Sequence, residues 1–137
     1  MNTLKIGFIS LGFALLTACA SSSSWNAVTD LEQARWESLN INERTAMEYI
    51  DNGLDANDVE RWMNKGFVEQ EDIIRWSKSQ FTVFEASNWR MNGFEADEAR
   101  AWAQENFTPE DAGAWKQKNF DLEDAIEERA KGLAPTK

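Results

Sequence analysis

Tryptophan returns along this chain at an almost fixed interval. Trp36, Tyr49, Trp62, Trp76, Trp89, Trp102 and Trp115 are 13 residues apart, with one step of 14 between Trp62 and Trp76. Other positions keep the same beat, so the period marks an internal repeat and not a bias in composition. A 13-residue unit holding one large aromatic has room for a single short helix and a reversal. That restricts the chain to an all-α solenoid of short helices, compact and built from 13-residue repeats.

Each unit carries its own start and stop signals. Take the apolar residue of each unit as its origin: Ile41, Leu54, Phe67, Phe81, Phe94, Phe107, Phe120 and Leu133. Before it stand Asn40, Gly53, Gly66, Gln80, Gly93, Asn106, Asn119 and Gly132. All but Gln80 are Gly or Asn, the types that accept a left-handed backbone. One residue after the origin come Asn42, Asp55, Thr82, Glu95, Thr108 and Asp121, mostly N-cap types. Three residues further on, Asp58, Glu85, Glu98, Asp111 and Asp124 complete the spacing of a capping box. Pro109 falls at the first helical position, where its missing N–H costs nothing.

These signals predict a helix of roughly ten residues per unit, ended by a left-handed reversal. The small residue at Ala46, Val59, Ala86, Ala99, Ala112 or Ala125 shares a helical face with the aromatic three positions later. A Schellman terminus would set each origin residue on the preceding aromatic, while a hydrophobic staple would hold it on the helix that follows. Each helix would then touch mainly its neighbours. Gln80, and the extra residue that puts Val68 where a cap belongs, predict a kink or a longer helix around residues 67–81. In the last unit Glu128 takes the aromatic position, as a polar terminal cap would.

The N-terminus reads differently. Lys5 precedes an apolar run from Ile6 to Leu16, and eleven residues of helix rise roughly 16 Å, too short to span a bilayer permanently. A basic start, a short apolar centre and small residues before a cut describe a secretory signal. Leu16-Thr17-Ala18-Cys19 is similar to the lipobox of bacterial lipoproteins. That resemblance implies cleavage before Cys19, lipid attachment at Cys19 and, with Ala20 at the next position, sorting to the outer membrane. Three acyl chains exceed the two signals that stable anchoring needs. The division that follows is a signal peptide over 1–18, a lipidated polar tether over 19–26, a repeat domain over 27–133 and a tail over 134–137.

Charge and composition limit the partners. Removing Lys5 with the signal leaves 13 Lys and Arg against 24 acids, a formal charge of −11. That opposes nucleic acid, whose affinity rests on phosphate neutralisation, and electrostatic docking on anionic lipid. There is no histidine, so no Ser-His-Asp or Cys-His set can form, and the single cysteine excludes an intrachain disulfide. The pairs Glu110-Asp111 and Glu123-Asp124 suggest carboxylate catalysis, but they recur at helix starts where free N–H groups favour anions. Asp51, Asp55, Asn57 and Asp58 suggest a calcium loop, yet no register supplies the oxygens, glycine and glutamate that an EF-hand needs.

Gly93-Phe94-Glu95-Ala96-Asp97-Glu98-Ala99-Arg100-Ala101-Trp102 resembles the short Gly-Phe…Glu-Ala-x-x-Trp helical repeats of bacterial secreted proteins, a resemblance that carries no activity. The tryptophans read as core, except Trp25, which lies off the period and is the candidate for an exposed or membrane-interface ring. The functional expectation is a non-catalytic lipoprotein of the outer membrane, facing the periplasm. It would be anchored through lipid on Cys19, without other cofactor or metal, and bind a protein partner of the envelope or serve envelope structure. The alternative is a peptidoglycan-binding module that uses aromatic faces beside carboxylates.

Overall fold

The computed structural model describes residues 24–135. Cys19 and the apolar run before it lie outside the described residues. Among those described there are eight α-helices and no strand. After a 3-10 turn, Ser24–Ala27, come α1 (Asp30–Ser38), α2 (Glu43–Asp51), α3 (Ala56–Asn64), α4 (Gln70–Lys78), α5 (Val83–Met91), α6 (Ala96–Gln104), α7 (Pro109–Gln117) and α8 (Leu122–Ala130). Every one has nine residues, and the seventh is the periodic aromatic in all but α8, where it is Glu128.

Local chemistry sets both ends. Thr29, Asn42, Asp55, Thr82, Thr108 and Asp121 precede their helices in extended backbone and accept the N–H three residues on. Glu69 and Glu95 occupy the same position without that bond; their side chains carry one methylene more than the aspartate that suits an N-cap. The reciprocal capping box closes only at Asp55/Asp58 and Thr82/Glu85. Of the other expected carboxylates, Asp111 and Asp124 make no reciprocal bond, and Glu98 instead meets Lys116 Nζ at 2.7 Å.

At the far ends the reversal recurs. All eight residues before the origin have positive φ, from 57° at Asn40 to 84° at Gly93. Gly93 N–H donates to Arg90 O at 3.0 Å, and Phe94 N–H to Trp89 O at 3.2 Å, the two bonds of a Schellman terminus. The same pair follows every helix but α4 among the described hydrogen bonds. There the Trp76 carbonyl is taken by Ser79, through its backbone N–H at 3.1 Å and its Oγ at 2.5 Å.

The expected irregularity around 67–81 therefore has a different form. Helix α4 is no longer than the others; it keeps nine residues, and the surplus residue enters the connection ahead of it. Gln80 takes φ of 68° like its glycine and asparagine counterparts. The packing of the units on either side dictates the reversal, and the residue bears the strain.

The core is a ladder of rings. The six periodic tryptophans and Tyr49 are all at most 4% exposed. Phe67, Phe94 and Phe107 are also buried, and each lies against the tryptophan before it at 4.9–5.1 Å between centroids. Phe67 and Phe94 also reach the tryptophan that follows, at 5.9 and 5.8 Å. One ring thus links consecutive units, as the Schellman and staple geometry predicts. Ala46, Val59, Ala86, Ala99, Ala112 and Ala125 are fully buried beside them.

Packing extends further than nearest neighbours. Helix α1 lies against α3, α2 against α4 and α5 against α7, in addition to the α5–α6 and α6–α7 contacts. Gly113 is where α7 crosses the end of α5: a Cβ there would come within 3.0 Å of Asn92 Oδ1. Trp25 also departs from expectation. It is half-buried and packed on the core, and its backbone N–H donates to Glu43 Oε1 at 3.0 Å. The 3-10 turn brings it back onto α2.

Candidate interaction surface

With the rings turned inward, the surface is made of helix ends and outer faces. The carboxylates singled out by sequence stay apart as helix-terminal groups. Asp55 accepts the Asp58 N–H at 2.8 Å and Asp58 accepts the Asp55 N–H at 3.1 Å, while Arg61 pairs with Asp58. Asp51 and Asn57 are exposed on different helices. Glu110, Asp111, Glu123 and Asp124 are exposed in the first turns of α7 and α8. No group of three or more His, Cys, Asp or Glu positioned for a metal occurs among the described residues. No described helix is long and apolar enough to cross a membrane.

Open clefts mark the surface. One, of about 490 Å³, is lined by Glu69, Gln70, Glu71, Asp72 and Arg75 at the start of α4. Another, of about 590 Å³, runs between α6 and the start of α8, with Trp102, Phe120, Glu98, Lys116 and Asp121 on its walls. Its cation is already engaged. Lys116 Nζ donates to Gly93 O at 2.8 Å and to Glu98, and sits 4.6 Å from the centre of the Phe94 ring. Trp102, 3% exposed, presents no open ring face to the cleft.

That lysine belongs to a pattern which the aromatic beat conceals. Arg90 donates to Gly66 O at 3.0 Å and lies 4.6 Å over Phe67. Arg129 donates to Glu105 O at 2.8 Å and lies 3.8 Å over Phe107. In each case the eighth residue of a helix reaches the reversal two helices earlier, clamping its carbonyl and covering its phenyl ring. The signal in sequence is a cation directly after the aromatic position, in Trp89-Arg90, Trp115-Lys116 and Glu128-Arg129. Ile50, Met63, Ser77 and Ala103 hold that place elsewhere, so no regular period announces it.

Electrostatic perturbation is structural: Glu127 and Glu128, within one turn of α8, raise the Lys131 ammonium above its ordinary range through their hydrogen bonds. Burial pushes the Tyr49 phenol above its ordinary range, with Glu69 adding to the shift. Backbone and side-chain hydrogen bonds from Thr82 hold Glu85 below the usual glutamate value. Perturbed groups often mark reactive sites, but Tyr49 and Glu85 stand on separate helices, explained by core and cap, and Lys131 with Glu127 forms an exposed ion pair at the end of α8.

Comparison with protein-family models, with curated proteins and with solved structures found no match for the chain.

What remains is apolar surface that the fold does not use. Phe84 and Met91 on α5 are 63% and 82% exposed. Neither belongs to the core or to the side chains packed against it. Neither lies on the 13-residue beat. Phe84 is detectable as the second residue of its helix, a place filled by Arg44, Asn57, Glu71, Asp97, Glu110 and Glu123 in six of the other helices and by Leu31 in α1.

Proposed function

We propose that this chain is a non-catalytic scaffold of the bacterial envelope. It is held at the outer membrane by lipid on Cys19, faces the periplasm and binds a protein partner through its helical repeats. The address rests on Leu16-Thr17-Ala18-Cys19 behind the apolar run. The observation that carries the binding role is the sequestration of the rings: the periodic indoles are spent on joining units. What the body offers outward is carboxylate-tipped helix ends and the apolar outer face of α5. Repeat solenoids use such extended faces to hold other proteins. The formal charge of −11 after Cys19 directs this role away from nucleic acid and anionic lipid.

Two experiments test the reading. Palmitate labelling of the wild type should vanish in Cys19→Ser, and equal labelling of both would end the lipoprotein assignment. In the second, soluble protein lacking residues 1–19 is mixed with purified peptidoglycan sacculi, alongside protein crosslinking in cells. Adducts to a protein with no retention on sacculi support the scaffold. Retention on sacculi without any protein adduct favours a glycan-binding module instead.

A further inference from the structure

The repeat supplies its own control for what a side chain is doing. Seven other helices share the geometry of α5, so a residue that departs from the pattern, without serving the core, points to something outside the fold. Phe84 and Met91 make that departure together. They are the second and ninth residues of α5, two turns apart on one face, about 10 Å along the axis. Helix α1 alone among the others has an apolar residue at the second place, Leu31, and it carries Ser38 at the ninth. Exposing a phenylalanine and a methionine costs solubility and brings no packing in return.

The rim of this face is basic. Lys65 Nζ stands 5.7 Å from the centre of the Phe84 ring. Arg90, beside Met91, is anchored to Gly66 O. Those two contacts lay the Lys65-Gly66 reversal along α5. The nearest carboxylate in sequence, Glu85, is turned back on Thr82, whose N–H and Oγ both donate to its Oε2 at 2.8 Å. A basic-rimmed apolar strip is thus set into a chain of formal charge −10.

We propose that the outer face of α5 docks an acidic, apolar segment of the partner protein, with Phe84 and Met91 as the apolar anchors and Lys65 as the charge that selects it. This deepens the scaffold reading and rests on it. Charge complementarity decides among occupants. A second copy meeting this face across a twofold axis would set Lys65 and Arg90 against their own counterparts. The chain's own first 23 residues carry Lys5 as their single charge and no acid to offer. A bilayer containing anionic lipid repels a body of this net charge. An acidic protein segment satisfies both the strip and its rim.

The test places a photo-crosslinking residue at position 84 of the full-length chain in cells, with position 97, the equivalent place on α6, as control. The crosslinked partner segment is then synthesised, and its binding to purified protein is followed by fluorescence anisotropy. Position 84 should give an adduct that position 97 does not, to a segment rich in Asp or Glu and apolar residues. The Phe84→Ser/Met91→Ser double variant should bind it about tenfold or more weakly. Lys65→Gln should weaken it by about threefold at low salt, a difference that added salt removes. All the altered side chains are exposed, so unchanged melting of the variants should accompany the loss. Adducts to lipid or to a second copy of this chain overturn the proposal, as does binding indifferent to both variants. Protein adducts from other helices but not from position 84 discard this face and leave the scaffold reading intact. No protein adduct from any helix, with retention on sacculi, removes both.

Discussion

Trp36 meets Tyr49 face to face, 5.8 Å apart and 4° from parallel, whereas from Trp62 onward phenylalanines stand between the indoles. The contacts are edge-on at Phe67, Phe94, Phe107 and Phe120, and tilted only around Phe81. In the first units the origin residues are Ile41 and Leu54, so no phenyl ring separates the two aromatics. The two ends differ in polar chemistry as well. Arg90, Lys116 and Arg129 clamp reversals in the later units, where the early ones have Ile50 and Met63 packed on the core. Among the described residues the one buried side-chain polar atom without a partner, Trp36 Nε1, lies in the early part. One backbone plan thus tolerates two ways of filling the space between helices, because caps and reversals are fixed locally while the filling is not.

The largest expected difference concerns the rings. Trp102→Ala should cost about 3–5 kcal/mol by denaturant unfolding, the usual range for emptying a large core site. Trp36→Phe should be milder than Trp102→Phe by about 1 kcal/mol, since it removes an N–H buried without a partner. Equal losses for the two phenylalanine variants would erase this distinction between the ends.

The reversals come next. Gly93→Val should cost more than about 1 kcal/mol and Gly93→Asn only a few tenths, because φ there is 84° while a Cβ would meet nothing within 4 Å. Gln80→Gly should act in the opposite direction, raising stability by about 0.5–1 kcal/mol through relief of a left-handed side-chain residue. A loss of stability in Gln80→Gly would mean that the glutamine side chain is needed at this join.

Alkaline and acid titrations separate the same two regions. Tyr49 is the only tyrosine, so phenolate absorbance reports it alone. Its folded pKa is raised; the stability linked to it is complete below the unfolded value and declines as pH rises through the folded one. Tyr49→Phe should therefore flatten the alkaline limb of the stability curve. A phenol that titrates at its ordinary value in the native protein would contradict the burial that shifts it.

The smallest effect belongs to Glu85. Its folded pKa is lowered, so the cap contributes above the unfolded glutamate value and fades as pH falls through the folded one. Glu85→Gln should remove that acid dependence at a cost of about 0.5 kcal/mol or less near neutrality, as suits an exposed contact. An unchanged acid limb in the variant would assign the slope to other carboxylates.

Much of this was legible because each signal acts within one turn or one reversal. Thr82 announces a helix start to the residue three places on, and Gly93 a left-handed stop to the residue beside it; neither needs a distant partner. Expectations from local spacing fail where a longer reach intervenes. Glu98 has the spacing of a capping box, but Lys116 on the next helix captures it. Gln80 is a poor left-handed residue, but units on both sides impose the reversal. Trp25 lies off the period, and only the return of the 3-10 turn onto α2 packs it on the core.

By itself the sequence determined the all-α class, the helices and reversals outside residues 67–81, and the inward turn of the periodic rings, since all of these follow from contacts a few residues apart. Tertiary structure alone decided that helices lie against their second neighbours, and that Arg90, Lys116 and Arg129 reach reversals two helices earlier. It also decided that Phe84 and Met91 are left outside. Those outcomes depend on how successive units rotate about one another, which couples residues 22 to 24 apart. A 13-residue period contains no term for that rotation.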